Sequence, residues 1–179
     1  MGALFFALFG GAWLGLWAFR SFAHPVPVEV GVAVGTVILA ATAYRIFRAN
    51  ALAMRAESAT PQGRRRSRLF NGINALQWIL IMVLGNVLVN MGLSPWIIPM
   101  AIFLIGLHFL PLARLFANPP HFIAGTALMV LAVTYPLTAS LGADDPIGCL
   151  GAGLILWASA LWATRPVRSL PKAVVPPPV

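Results

Sequence analysis

The chain is 179 residues long, 60% hydrophobic and 9% charged, with a mean hydropathy of +0.88. That much apolar side chain cannot be enclosed in one soluble core of this length, so the bilayer is the expected solvent and no soluble domain is left over. The net charge of +8 is read as Arg enrichment on the cytoplasmic face of a membrane and not as a nucleic-acid footprint, while the lone Cys149 excludes an intramolecular disulfide and no Cys/His spacing suggests a metal site.

A membrane-crossing helix needs about 20 mostly apolar residues. The sequence predicts six, at about 3–22, 27–47, 70–90, 95–112, 119–139 and 146–164. The expected fold class is therefore all-α integral membrane: one domain over residues 1–164, a bundle of six transmembrane helices arranged as three hairpins. A basic cytoplasmic linker, 48–69, separates the first hairpin from the second, and a Pro-rich cytoplasmic tail, 165–179, follows the last.

The first run has no basic n-region, and Phe6 stands where a myristoylation signal wants Ser or Thr, so a retained helix is expected. Pro25 and Pro27 break the chain before the second span. Gly11 and Gly15 in the first span, and Gly31 and Gly35 in the second, have the small-residue spacing that lets membrane helices approach closely, and predict tight packing of this hairpin.

The segment Arg45 to Arg68 carries seven of the twelve cationic residues. It is expected to continue the second helix past the membrane surface and to break at Pro61-Gln62-Gly63. Arg64, Arg65, Arg66 and Arg68 then stand directly before the third span, where each could hold an anionic lipid headgroup at about 1 kcal/mol. Ser94, Asn118 and Asp145 each precede a proline, the pattern of an N-cap followed by Pro at the first helical position. Counting sides from the basic linker puts both termini in the cytoplasm. Only Arg20 of the twelve cations then lies outside, where it is expected to pair with Glu29 or to snorkel to headgroups. Eleven Arg against one Lys, with abundant Ala, Gly and Pro, suggests a bacterial cytoplasmic (inner) membrane.

The most informative polar position is His108, the one histidine expected well inside a span. It lies six residues before Arg114, hence about 9 Å below the cytoplasmic boundary, with Gln77 at similar depth and Asn74 one turn nearer the surface. Pro111 has no N–H for the Leu107 carbonyl, which leaves a further acceptor in the same place. Polar groups within a membrane face the protein interior and are functional candidates, so His108, Gln77, Asn74, Leu107 and Pro111 are expected to form one hydrogen-bonding ligand site. The competing reading is a polar contact that only fixes two helices together. Gly106-Leu107-His108-Phe109-Leu110-Pro111-Leu112-Ala113 also resembles a G-L-H-F-x-P-L-A run of small multi-pass bacterial membrane proteins; the resemblance implies a membrane setting and carries over no reaction, catalytic residue or ligand.

No Asp or Glu stands inside a predicted span, which weakens cation- or proton-coupled transport. The Asn residues of the third span do not share one face, which argues against an aqueous pore. A bis-histidine haem would need a partner for His108, and His121 is expected only at the inner boundary of its span. No cofactor is therefore expected. The favoured function is a membrane-embedded binding or transport protein for a small neutral or mostly apolar solute. A non-catalytic accessory or scaffold subunit, as a homo-oligomer or in a larger membrane complex, comes next. A lipid-modifying enzyme with His108 as base comes third, having no nucleophile or metal set beside it.

Overall fold

The structure is a computed structural model that describes residues 2–117 and 119–165. Among these residues the chain forms seven α-helices and no strand: α1 (Gly2–Ser21), α2 (Val26–Ala49), α3 (Ala51–Ala59), α4 (Pro61–Asn90), α5 (Ile97–Leu115), α6 (Pro119–Thr138) and α7 (Ile147–Ala163). Single 3-10 turns, Ser94–Trp96 and Gly142–Asp144, precede α5 and α7. Five of the apolar helices, α1, α2, α4, α5 and α6, are long enough to cross a membrane. The sixth, α7, has 17 residues, about 26 Å at 1.5 Å per residue. Asn118 and the tail beyond 165 lie outside the described residues, so the N-cap expected at Asn118 and the extended tail are not part of this description.

The helices are ordered in space α2, α1, α7, α6, α5, α4, each packed on the next. The core belongs to the inner four: Phe6, Ile102, Phe109, Leu128, Tyr135, Ala152 and Leu156 are all buried. By contrast α2 buries only Ala43 and α4 only Gln77, so these two lean on the outside of the bundle. Glycine explains why α5 fits α6 so closely. A Cβ built at Gly106 would lie 2.6 Å from the Gly125 carbonyl oxygen, and one at Gly125 would lie 2.7 Å from that of Gly106. The α1–α7 contact uses the same device at Gly10 and Gly153, each facing the other's carbonyl oxygen. Trp157 adds a cross-helix hydrogen bond, its Nε1–H donating to the Ala7 carbonyl over 3.2 Å.

The glycine seam expected between the first two spans is therefore corrected. Gly11 does face Thr36 of α2, and Gly35 faces the Trp157 ring of α7, but a Cβ at Gly15 or Gly31 would meet nothing within 4 Å. Spacing alone matched four glycines, and half of them look away from any neighbour.

The basic linker is helical. Asn50 interrupts the helix only briefly, and α3 then runs to Ala59. Pro61 begins the next helix instead of merely ending the last one: Thr60 has extended φ and ψ, and its hydroxyl accepts from the Gly63 N–H at 3.0 Å. A threonine N-cap with proline at the first helical position starts the helix nine residues before Phe70, where the third span was expected to begin. Arg64 to Arg68 accordingly lie on α4. Arg66 pairs with Glu57 at 2.7 Å across the α3–α4 turn, so part of its guanidinium is held by a carboxylate.

At the opposite end, Arg20 pairs neither with Glu29 nor with headgroups alone. Its guanidinium donates to the Asp144 carboxylate at 2.5 Å and to the Asp144 carbonyl at 2.8 Å, tying the end of α1 to the turn before α7. The Tyr135 hydroxyl donates to the Ala143 carbonyl in the same turn. Ser94 does not cap α5, because a 3-10 turn intervenes. Asp145 accepts from the Ile147 N–H at 2.9 Å at the start of α7. That bond, with a weaker one from Leu141 N–H, holds the Asp145 carboxyl below its usual range.

Candidate functional site

Gln77 is the one buried amide side chain among the described residues, 8% exposed. It points from α4 toward α5, and its Oε1 is fully enclosed with no hydrogen-bond donor. Such an atom costs about 1–3 kcal/mol relative to a satisfied one. Across the interface stands His108, half-buried, with Nδ1 2.9 Å from the Ile105 carbonyl one turn earlier. A carbonyl only accepts, so Nδ1 carries the proton in that bond, and in a neutral ring Nε2 is left as an acceptor.

Between the two lies a groove of about 260 Å³, lined by Ile73, Leu76 and Gln77 of α4 and by Leu104, Leu107 and His108 of α5, with Leu110 and Pro111 at one end. Pro111 sits inside α5 and lacks the N–H that would reach the Leu107 carbonyl. An adjoining groove of about 530 Å³ shares Ile73, Leu110 and Pro111 and continues past Leu69 and Leu115 to Arg114. Four of the five expected ligand residues thus border one groove. Asn74 does not: it is half-buried on α4 and outside the lining. The expected hydrogen-bonded cluster does not form either, since among the described residues no bond joins Gln77, Asn74 and His108. His108 is satisfied by its own helix instead.

One residue was missed. His121 of α6 was placed at a membrane boundary, yet its Nδ1 is enclosed and unpartnered. Its ring packs on Phe6 at 5.3 Å and on Phe109 at 6.1 Å between centroids. The other face of the same neighbourhood is His108, 4.5 Å from the Phe109 ring. The signal was present in the spacing: His121, Ala124, Leu128, Ala132 and Tyr135 recur at three or four residues, and the last four are all buried.

Chemically, the arrangement offers an apolar trough with an amide and an imidazole as its polar groups. Among the described residues no set of three His, Cys, Asp or Glu side chains lies close enough together to hold a metal ion. Arg64, Arg65 and Arg68 are exposed on the first turns of α4, at the end of the bundle where α4 and α5 meet through the Phe70–Phe116 ring pair, 6.0 Å apart.

No protein-family model, no curated protein and no solved structure matches this chain. Function is therefore argued from the site.

Proposed function

We propose that this protein is a membrane-embedded binding or transport protein for a small neutral or mostly apolar solute, held between α4 and α5 with its polar group toward Gln77 and His108. The observation that carries this reading is the enclosed Gln77 Oε1 without a partner at the wall of an apolar groove. Natural proteins rarely leave such an atom unsatisfied, and few convergent polar groups in an apolar cleft is what ligand sites look like. A volume of about 260 Å³ falls just under the 300–1,000 Å³ usual for ligand sites, which sets the solute as small. As a test, purified wild type, His108→Ala and His108→Gln are melted in detergent against a panel of small lipophilic alcohols and amides. At least one compound is expected to raise the wild-type melting temperature, to fail with Ala, and to act partly with Gln, which keeps a donor and an acceptor. If no compound stabilises wild type more than His108→Ala, the solute reading is lost.

A second reading, an accessory subunit, is favoured by α2 alone. Val26, Val30, Val34 and Val37 form an exposed stripe along it, each more than half exposed, a face suited to another membrane helix or to lipid.

The same proposal places six spans in a bacterial inner membrane with both termini and the α3–α4 hairpin cytoplasmic. What supports it is charge. Arg45, Arg48, Arg55, Arg64, Arg65, Arg66 and Arg68 gather on the α2–α4 connection, and Arg20 lies on the opposite side, tied to Asp144. Single cysteines at exposed Ser67 and Leu141, in a Cys149→Ser background, report it: an impermeant maleimide on intact cells is expected to label Leu141→Cys and spare Ser67→Cys. The reverse pattern would invert the topology.

A further inference from the structure

The larger groove has one cation and no matching anion. Its walls are Leu69 and Ile73 on α4 and Leu110, Pro111 and Leu115 on α5, and its only charged group is Arg114 in the last turn of α5. Among the described residues the ion pairs are Arg20–Asp144 and Arg66–Glu57, so no carboxylate of the described chain neutralises Arg114. We propose that this groove binds an anionic phospholipid, with one acyl chain lying along Ile73, Leu110 and Pro111 and the phosphate against the Arg114 guanidinium.

Three features select this occupant. The first is depth. Arg114 stands at the helix end, where headgroups lie, and the groove continues from it through shared lining residues as far as Leu104, ten residues or about 15 Å along the helix. An amphiphile of that length fits; a small soluble anion would leave the apolar walls bare. The second is charge. Arg114 lies at the basic end of the bundle, with exposed Arg68 beside groove-lining Leu69, so the local field favours an anion over a zwitterion. Guanidinium and phosphate also match in bidentate geometry. The third is the position of α4 on the outside of the bundle, burying only Gln77. A cleft between an outer helix and α5 can take one chain of a two-chain lipid while the other stays in the bilayer, which a single-chain fatty acid does not need. The inference rests on the membrane placement proposed above and not on the solute.

The test uses the full chain, purified in detergent and relipidated with phosphatidylglycerol, phosphatidylcholine or palmitate, with bound lipid counted by native mass spectrometry. Wild type is expected to retain phosphatidylglycerol over the other two. Arg114→Gln, an exposed site that should not disturb folding, is expected to lower that retention about tenfold. Ile73→Trp, which fills the groove, should lower it as well, whereas Arg65→Gln should change it little. Equal retention of phosphatidylcholine or of palmitate would overturn the proposal, and so would an equal loss in Arg65→Gln, which would mean diffuse surface attraction. The melts of wild type and His108→Ala against the alcohol and amide panel read the solute site without counting phospholipid, so a failed solute reading and a failed lipid site give different results.

Discussion

Gly106→Ala is expected to destabilise the detergent-solubilised protein by about 3 kcal/mol, the upper part of the range for forcing extra carbon into a packed core. The reason is that the obstacle is backbone. The new Cβ would stand 2.6 Å from the Gly125 carbonyl oxygen and 3.0 Å from the Met129 nitrogen, and neither can rotate away as a side chain could. Relief requires α5 to move off α6 along much of its length, with Ile102, Phe109 and Leu128 repacking behind it. Gly15→Ala and Gly31→Ala are the controls. Nothing lies within 4 Å of a Cβ at either, so each should be neutral or gain up to about 1 kcal/mol from helix propensity. Thermal melts of the three variants separate the outcomes; a similar shift in all three would show that α5 and α6 do not meet backbone to backbone.

That contrast also marks what the sequence could show of the fold. Hydrophobic runs and prolines located most ends of the apolar helices to within a few residues, the start of α4 nine residues early being the exception, since run length and helix breaking are local properties. The α1–α7 and α5–α6 contacts are different in kind. A small-residue pattern says that a helix can be approached but not from which side, so Gly15 and Gly31 matched the pattern as well as Gly11 and Gly35 did. Gly10 finds Gly153 more than a hundred residues away, and no local pattern names that partner. Arg20 has the same history: Glu29 was near in sequence, but the fold brings Asp144 to it instead. At Pro61 the cue is local. A proline breaks the helix before it and can also begin the next, and Thr60 immediately before it is the capping residue that decides, its hydroxyl accepting from the Gly63 N–H.

The site was legible in part for a physical reason as well. Gln77, Leu107, His108 and Pro111 stood out because polar groups and prolines are costly inside apolar spans, and they do border one groove. How they are satisfied was not legible. The His108 Nδ1–H donates to the Ile105 carbonyl, one turn back on α5, so the bond expected across the interface is made within a helix. Gln77 is left holding the unmet demand that the sequence had assigned to the pair.

Gln77→Leu is accordingly expected to do two opposite things. Leucine fills nearly the same volume with no polar atom, so removing the enclosed, partnerless Oε1 should stabilise the empty protein by about 1–3 kcal/mol. The same change removes the one amide at the groove wall, so any compound that raises the wild-type melting temperature should no longer do so, while a gain in intrinsic stability remains. Stability rising as binding falls is the signature of a polar group kept for a ligand at the expense of the fold. A purely structural amide behaves otherwise. If Gln77 bridges helices through an ordered water, Gln77→Leu should lower stability, because the water and its other partner lose a bond. If stability rises but compound binding persists, the groove is a site in which Gln77 takes no part. Melting curves of wild type and Gln77→Leu, each with and without the most effective compound from the His108 series, distinguish these cases because the apo shift and the ligand-induced shift are read independently from the same four samples.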